Sequence, residues 1–377
     1  MQYFLIAGEA SGDIHAAALI RAIRERDPEA RFAGLGGDAM RREGVTLYQD
    51  YRKMAYMAIV AVLTHLKDIR NNFRIAKEAL IKEHPDALIL IDYPSFNLKM
   101  AAFCRKHLPA TKIYYYIPPK AWAWKSWRVH KIARLCDEVL GIFPFEPAFY
   151  AKYGYRCTYV GNPTAAALSQ LSEDECSERQ NYIAILPGSR KSEISKCLPT
   201  MIAAAEKALT NREPETRNPE PGTPFPLLIC GAPGIDEDFY APYARKYKVV
   251  FGQTHELLLH ARAAIVNSGT ATLEAALLRC PQVPVYHLTC GWIAHLRPLL
   301  FPSPFFTLPN IILQREAVRE KIAYRFTVEE VACELTRLLS DEAYRNTQLR
   351  DYEEIRALLG NSDAPATAAS IITKPLK

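Results

Sequence analysis

The sequence contains no Cys-x-x-Cys pair, and none of its nine cysteines lies beside a cluster of histidines. A disulfide framework and a structural zinc site both need thiols at characteristic close spacings. The scattered cysteines therefore exclude a disulfide-stapled secreted scaffold and indicate reduced thiols in the cytosol. They also give no basis for a resident metal, and we expect no cofactor.

Long apolar runs are also missing. The longest such stretch near the start, Ala55–Leu63, is too short to cross a bilayer. The first residues, Met1–Gly8, lack the basic start and the longer apolar stretch of a signal peptide. We therefore expect a cytoplasmic protein that acts in the cytosol or on the face of a membrane.

Neither sign of charge dominates, because 47 Lys and Arg face 41 Asp and Glu, for a net charge of +6. This modest excess suits phosphorylated substrates or anionic lipid surfaces, but it is weak evidence alone. The 377 residues are enough for two domains. Hydrophobic residues at 49% and charged residues at 23% are typical of a globular protein.

Short apolar runs alternate with longer helical patterns along two stretches of the chain. Such alternation predicts parallel sheets with helices on both faces, and the fold class is therefore α/β. The predicted strands of the first series are Tyr3–Ala7, Phe32–Leu35, Ala87–Ile91, Lys112–Tyr116 and Glu138–Ile142. Those of the second series start near Tyr182 and continue with Leu227–Cys230, Val249–Phe251, Ala264–Asn267 and Val283–Tyr286.

The turn-forming residues Gly161–Pro163 separate the two series and predict a hinge. We expect an N-terminal domain over 1–163, a C-terminal domain over 164–345 and a tail over 346–377. Two α/β domains would enclose a cleft at the carboxyl ends of their sheets, where ligands usually bind.

A glycine-bearing turn, Gly8–Asp13, lies between the first predicted strand and the first helix. Glycines let the backbone approach a ligand, and a helix start presents free N–H groups to anions or hydroxyls. The alternative is a tight turn in which Ser11 or Asp13 caps the helix. A dinucleotide site would also need an acidic residue closing the second strand, where the chain has Gly36-Gly37.

The motif Leu186–Arg190 ends the first strand of the second series. Its Gly-Ser turn offers backbone donors, and Arg190 adds a permanently charged fork, a combination that can hold a pyrophosphate. The alternative is a plain turn with a surface arginine.

The motif Asn267–Glu274 follows another strand and opens a helix. Small hydroxyl and glycine positions at a helix start can donate to phosphate, helped by the helix dipole. Glu274 falls one turn later, where a carboxylate can accept both hydroxyls of a ribose. The alternative is that Ser268 or Thr270 caps the helix and Glu274 is an ordinary helix-start acid.

Asp92 ends a predicted strand and precedes Tyr93-Pro94. A carboxylate at the carboxyl end of a strand, facing the expected cleft, can take a proton from an attacking hydroxyl. The alternative is an Asx turn before the proline.

The segment Tyr114–Trp124 is unusually aromatic, and Trp122, Trp124 and Trp127 are three of the four tryptophans. Aromatic rings beside a cleft can stack on sugars or hold acyl chains. A core strand explains the density of rings and prolines less well.

The segment Arg52–Lys82 carries an apolar stripe interspersed with lysines and arginines. It suits an anionic membrane face, to which each basic residue contributes ~1 kcal/mol. The alternative is a helix packed on the sheet with a solvated basic side. The apolar stretch Leu299–Leu313 is open to the same two interpretations.

In this order, the motifs resemble the lipid A disaccharide synthases over essentially the whole chain. Each segment is a weak signal alone, whereas their common order is specific. The matching segments are Gly8–Asp13, Gly36-Gly37 with Met40, Tyr115–Trp124, Phe143–Glu146, Val160–Pro163, Leu186–Arg190 with Glu193, Asn267–Leu277 and Leu308–Asn310.

The resemblance implies a GT-B glycosyltransferase fold, in which two Rossmann-like domains face each other across a cleft. It implies an inverting, metal-independent transfer of 2,3-diacylglucosamine from UDP-2,3-diacylglucosamine, held by the second domain. The acceptor is 2,3-diacylglucosamine 1-phosphate (lipid X), held mainly by the first domain. It also implies peripheral association with the anionic inner face of the cytoplasmic membrane, no nucleic-acid partner, and a monomer or homodimer. In such a homodimer the C-terminal segments are exchanged; otherwise the tail returns to the first domain.

The resemblance further points to Asp92 as the general base and to Arg190 as the second catalytic residue. The expected substrate-binding residues are Gly8, Glu9, Ser11, Gly12, Asp13, Trp122, Trp124, Gly188, Ser189, Asn267, Ser268, Gly269, Thr270, Thr272, Glu274 and Asn310.

The chain departs from the family pattern at three places. Ser95 stands where a second aspartate is common, Met57–Ala61 lacks a usual glycine and glutamate, and Ala323 stands where a glutamine is usual. These departures affect the fine contacts to the acceptor and the uridine.

Three other functions remain open on the residues alone. They are a UDP-sugar 2-epimerase of the same fold, a non-catalytic nucleotide-sugar binding protein and a dinucleotide oxidoreductase. An epimerase would leave the aromatic segment without a purpose, and the glycine pair Gly36-Gly37 weakens the oxidoreductase.

Overall fold

The computed structural model describes residues 1–54, 66–123, 125–174, 179–210, 225–287, 303–323 and 326–374. It divides the chain into two compact units, one of Met1–Ala166 with Asn361–Lys377 and the other of Ala167–Gly360. Several segments lie wholly or partly outside the described residues: Met57–Ala61, Trp124 and the first part of Leu299–Leu313. The same is true of Asn211–Pro226, whose five prolines predict a surface loop.

The first unit is built on a parallel sheet. Its strands are β1 Gln2–Ala7, β2 Arg31–Gly36, β3 Thr46–Asp50, β4 Ala87–Ile91, β5 Lys112–Tyr116, β6 Glu138–Gly141 and β7 Thr158–Tyr159. Its helices are α1 Ala10–Arg26, α2 Asp38–Arg42, α3 Leu66–Glu83, α4 Pro94–His107, α5 Arg128–Leu135 and α6 Glu146–Ala151. In the described part of the chain the strand order is β3-β2-β1-β4-β5-β6-β7.

The central strands are buried on both faces because they carry apolar side chains at successive positions. Phe4 and Ile6 of β1 belong to one core cluster, whereas Tyr3 and Leu5 belong to the other. Side chains alternate between the two faces of a strand. A sheet with two apolar faces needs a helical layer on each side, which explains the alternating sequence pattern.

A helix from the far end of the chain completes one of these layers. α15, Ala364–Ile372, packs against α1, and its residues Ala368 and Ile372 are buried in the same cluster as Leu19 and Ile23 of α1. The opposite face is covered by α3, α4 and α5. The segment 361–377 therefore belongs to the first unit although it follows the second in sequence.

The second unit contains another parallel sheet. Its strands are β8 Gln180–Leu186, β9 Leu227–Gly231, β10 Lys248–Phe251, β11 Ala261–Asn267, β12 Gln282–His287 and β13 Lys321–Ala323. Its helices are α8 Lys191–Thr210, α9 Ala241–Ala244, α10 Thr254–His260, α11 Thr270–Leu277, α12 Leu308–Leu313, α13 Val328–Ser340 and α14 Glu342–Leu359, while α7 Pro163–Asp174 leads into the unit. The described strands run in the order β10-β9-β8-β11-β12-β13.

The order of the second sheet brings two predicted motifs side by side. β8 pairs with β11 in parallel register, with Leu186 opposite Val266. The chain segments that follow these strands therefore leave the same edge of the sheet. Both strands are buried, and α8 and α13 pack together over one face.

The expected class of two parallel-sheet α/β units is confirmed, and every predicted strand is present with small differences at its ends. β3, β7 and β13 were not predicted. All three lie at sheet edges, and they are short and lack a continuous apolar run. Ala323, one of the departures from the family pattern, is the last residue of β13.

The apolar side of the described basic helix is occupied by protein. Phe73 of α3 stacks on Phe96 of α4 with ring centroids 4.4 Å apart, and Leu80 is fully buried. Lys67 and Arg74 are exposed on the other side. This arrangement matches the packed-helix alternative for α3. No helix in the described ranges is long and apolar enough to span a bilayer.

Candidate functional sites

Asp92 directly follows β4, where the backbone has an uncommon conformation. The φ angles of Asp92 and Tyr93 are +43° and +48°, in the left-handed region that bulky residues rarely adopt. Strained backbone of this kind persists where the surroundings hold it, often at functional sites.

Side chains from two neighbouring elements hold this strained backbone. The Asp92 carbonyl accepts hydrogen bonds from Nδ2 of Asn97 and from the hydroxyl of Tyr115, each 2.7 Å long. The Asp92 N–H donates to the carbonyl of Ile117 at 3.2 Å. These bonds use backbone atoms of Asp92, while its carboxylate accepts from the backbone N–H of Tyr93.

Two effects shift the pKa of the Asp92 carboxyl in opposite directions. Burial raises the pKa of the Asp92 carboxyl, while the charge of Lys120 lowers it. Lys120 reaches solvent, yet surrounding protein atoms desolvate it enough to lower its pKa, against the charges of Asp92 and Glu146. Lys120 is thus the cation that favours an ionised Asp92.

The turn after β1 is shaped by Tyr93. A Cβ added to Gly8 would lie 2.2 Å from the Tyr93 ring, so only glycine leaves room for that ring. Glu9 and Ser11 are exposed, and no side chain caps α1. The alternative in which Ser11 or Asp13 caps α1 is therefore wrong, and the start of α1 is open toward solvent at Ser11.

The side chain of Asp13 instead binds the start of α2. Its carboxylate accepts hydrogen bonds from the N–H groups of Gly37, Ala39 and Met40 at 2.7, 2.9 and 3.1 Å. These donors belong to the start of α2. Because Asp13 is buried and already receives three donors, its geometry supports a structural role rather than the predicted substrate contact.

Trp122 is likewise engaged within the protein. Its Nε1–H donates to Glu146 at 3.2 Å, and its ring packs edge-on against Phe143 and Phe145. Glu146 also accepts from the backbone N–H of Phe143 at 2.9 Å, and burial raises its pKa to about 7. Trp127, just beyond the segment, is 59% exposed, whereas Trp124 lies outside the described residues.

In the second unit, the loop after β8 wraps around a carboxylate. Gly188 has a φ of +117°, and a Cβ there would lie 2.9 Å from Oε2 of Glu193. Glu193 accepts from the N–H of Ser189 at 3.3 Å and pairs with Nη1 of Arg190 at 2.8 Å. The donors predicted to bind a diphosphate therefore already bind an anion of the protein.

The adjacent loop after β11 leads to an uncapped helix. α11 has Gly269 at its N-cap and no side-chain cap, so the alternative in which Ser268 or Thr270 caps the helix is wrong. Gly269 and Thr270 are exposed, and a Cβ on Gly269 would meet nothing within 4 Å. The free N–H groups and the positive end of the helix dipole are consequently accessible to an anion.

Of the remaining residues of this motif, Asn267 and Thr272 are buried, whereas Glu274 is partly exposed. The Asn267 side chain lies close to Gly188, since a Cβ there would be 2.6 Å from its Nδ2. Thr272 is buried and its hydroxyl donates to the Gly269 carbonyl at 2.8 Å. Glu274 stays partly exposed and lies 3.7 Å from Nε2 of His255.

Asn310 does not join this group. Its Nδ2 donates to the Val318 carbonyl and to Glu320 at 2.8 and 3.0 Å. Its Oδ1 accepts from the N–H groups of Ala317 and Val318 at 2.7 and 2.8 Å. A fully buried amide with every bond made inside the chain supports a role in holding this loop rather than a substrate contact.

The structure therefore brings Gly188, Ser189 and Arg190 next to the helix start at Gly269 and Thr270 in the second unit. In the first unit, it groups Gly8 with Asp92 through Tyr93. Sequence reasoning missed Lys120 and His255 as functional candidates. A basic residue within the aromatic segment and a histidine opening a helix are single residues, which carry little signal until their partners are known.

Known proteins match this chain over nearly its whole length. Residues 3–372 match the family model of the lipid-A-disaccharide synthetases. The lipid-A-disaccharide synthase of Nitrosococcus oceani is 34% identical, with 99% of this chain and 96% of that protein covered. That of Trichlorobacter lovleyi is 35% identical, with 98% and 96% covered.

Solved structures match the fold at low sequence identity. UDP-GlcNAc 2-epimerase from Neisseria meningitidis bound to UDP-GlcNAc has a TM-score of 0.66 at 10% identity, with 99% of each chain covered. A glycotransferase of kitacinnamycin has a TM-score of 0.63 at 14% identity, with 98% of each chain covered. These likenesses confirm the GT-B fold predicted from the sequence and extend no further.

Proposed function

The chain belongs to the lipid-A-disaccharide synthase family, and from that premise we propose the reaction and the residues that carry it. The protein is a glycosyltransferase that moves 2,3-diacylglucosamine from UDP-2,3-diacylglucosamine to the 6-hydroxyl of 2,3-diacylglucosamine 1-phosphate. The products are a β-1′,6-linked disaccharide 1-phosphate and UDP. Attack from the face opposite the leaving diphosphate inverts the anomeric carbon.

The general base is Asp92. As the acceptor oxygen forms its bond to the anomeric carbon, Asp92 takes the hydroxyl proton, and the bond to the diphosphate oxygen breaks. The observation that carries this role is a carboxylate at the end of β4 whose backbone is fixed by Asn97 and Tyr115 and whose ionised form is favoured by Lys120. A positioned base of this type contributes roughly 10²–10⁴-fold to the rate.

UDP binds to the second unit. The accessible N–H groups at Gly269 and Thr270 and the exposed guanidinium of Arg190 support this assignment, because they flank one edge of the sheet. They would stabilise the charge that develops on the departing diphosphate. One such donor contributes about 3 kcal/mol to barrier lowering.

We further propose that the protein works at an anionic membrane surface, where acylated sugars reside. The support is the exposed basic side of α3, with Lys67, Arg70 and Arg74, and the exposed ring of Trp127. Sedimentation with vesicles, with and without anionic lipid, tests the association. Binding that is independent of anionic lipid and of salt would contradict it.

The decisive experiment is a turnover assay with both acylated sugars in the presence of EDTA, read by mass spectrometry. The proposal predicts disaccharide and UDP, with production at least 100-fold slower for Asp92→Asn. Asp68→Asn is the matched control, because Asp68 is an exposed carboxylate on α3. UDP release without acceptor would instead favour an epimerase, and near-normal turnover of Asp92→Asn would remove Asp92 from the role.

A further inference from the structure

His255 and Glu274 form an ion pair between two consecutive helices of the second unit. Nε2 of His255, on α10, lies 3.7 Å from Oε2 of Glu274, on α11, and their side chains are 45% and 21% exposed. The pair therefore joins two helices and faces solvent on the histidine side. A ligand can reach Glu274 without unfolding either helix.

The pair lies beside the proposed diphosphate donors. β10 ends at Phe251 shortly before α10, and β11 ends at Asn267 shortly before α11. β10 and β11 belong to the same parallel sheet, separated by β9 and β8. All strands of a parallel sheet end at one edge, which is where these helices begin, and the two helices contact each other. Glu274 stands one turn into the helix whose open start would receive the diphosphate.

The surroundings of the pair contain few other titratable groups. The hydrogen bond with Glu274 raises the pKa of His255, and burial acts in the opposite direction. From β9, the thiol of Cys230 lies 3.1 Å from the hydroxyl of Thr254, and its pKa is raised chiefly by burial, so it stays neutral. Glu256, the next residue of α10, is exposed.

We infer that His255 is a positioning residue that fixes Glu274 for the two hydroxyls of a ribose, so that discrimination between UDP and 2′-deoxy-UDP depends on pH. This inference rests on the proposed function, since it assumes that UDP binds to the second unit. With one carboxylate oxygen held by the imidazolium, the other is presented to the sugar in a defined orientation.

The direction of the pH dependence follows from the charge of the histidine. Because the pKa of His255 is raised, the imidazolium and its hold on Glu274 are present at lower pH. They are lost as the pH rises through that raised pKa. The preference for the ribonucleotide is then largest on the acidic side and declines toward alkaline pH.

The test is isothermal titration of the full chain with UDP and with 2′-deoxy-UDP, from about pH 5 to about pH 8, where a histidine titrates. The ratio of the two affinities is the readout, because both ligands carry the same phosphates and their titration cancels. Hydroxyl bonds to a charged group predict a ratio of about 10 or more for the wild type at acidic pH.

Three variants isolate the pair. Glu274→Gln should remove most of the preference at every pH. His255→Gln should lower the preference several-fold and make it independent of pH. His255→Lys keeps a cation that does not titrate in this range, so it should retain the preference without its pH dependence. Glu256→Gln, which removes a neighbouring charge, should behave as the wild type.

The outcomes separate the two proposals. If the wild type binds neither nucleotide, the proposed function fails. If it binds UDP but shows no preference, or if His255→Gln keeps the wild-type ratio and pH dependence, only the inference about His255 is overturned. Melting temperatures of the variants show that each remains folded.

Discussion

Nη1 of Arg190 lies 2.8 Å from Oε1 of Glu193, and the second oxygen of Glu193 accepts the N–H of Ser189. The protein thereby places its own carboxylate on the donors proposed for the diphosphate. Since the Arg190 side chain is 73% exposed, the pair can open at little cost.

Glu193→Gln is therefore expected to bind UDP about 2–5-fold more tightly, the equivalent of an exposed ion pair. The substitution frees Arg190 and removes a charge that repels phosphate. Titration calorimetry measures the change. Glu329→Gln, which breaks the exposed pair with Lys207, is the control; weaker UDP binding by Glu193→Gln would mean that Glu193 orients Arg190 instead.

Lys120→Gln should move the acidic limb of the kcat/KM pH profile to higher pH. The charge of Lys120 lowers the pKa of Asp92 against the effect of burial, so its loss raises the pH at which the base is ionised. Activity above that limb should remain. Lys131→Gln, an exposed charge on α5, should leave the profile in place, and an unchanged limb for Lys120→Gln would show that Lys120 does not influence the base.

Asp13→Ala should destabilise the first unit by about 3 kcal/mol or more, because three backbone N–H groups lose their acceptor. UDP affinity should not change, since the proposed nucleotide site belongs to the second unit. Denaturant unfolding and calorimetry measure the two quantities. Asp38→Ala, a more exposed carboxylate on α2, should cost much less. A stable Asp13→Ala protein with a raised acceptor KM would restore Asp13 as a substrate contact.

Trp122→Phe should lower the free energy of unfolding by about 1–2 kcal/mol, with little change in acceptor KM. The ring loses its N–H bond to Glu146, and that bond favours the ionised carboxyl. In the folded protein the pKa of the Glu146 carboxyl is raised to about 7, so its protonated form stabilises the fold at acidic pH and this stabilisation is lost as the pH rises through that value. Without the Trp122 bond the ionised carboxyl is still less favourable, so the loss of unfolding free energy in the variant should grow toward alkaline pH. A loss that does not change with pH would contradict this account.

The central strands could be predicted because burial on both faces demands uninterrupted apolar residues, as in Ala87–Ile91. Edge strands carry no such demand. Thr46–Asp50 is only partly buried or exposed, and its polar residues resemble those of a loop. The sequence therefore determines the middle of each sheet more clearly than its borders.

Candidate site residues were harder to interpret because a motif does not reveal what its side chains touch. Asp13 and Asn310 stand in motifs that suggest ligand contacts, yet their partners lie within the protein. The partners of Asp13 are more than twenty residues away. Asp92 and Arg190 could be selected as candidates from the sequence because a strand end and a Gly-Ser turn are local features.

The return of α15 to α1 has a consequence for biosynthesis. A ribosome releases α1 early, but the helix that covers Leu19 and Ile23 emerges only after the whole intervening unit has been translated. During that interval the apolar side of α1 is not yet buried by α15. The nascent chain therefore needs either a temporary partner or a delay in folding. The first unit is thus the first to begin synthesis and the last to be completed.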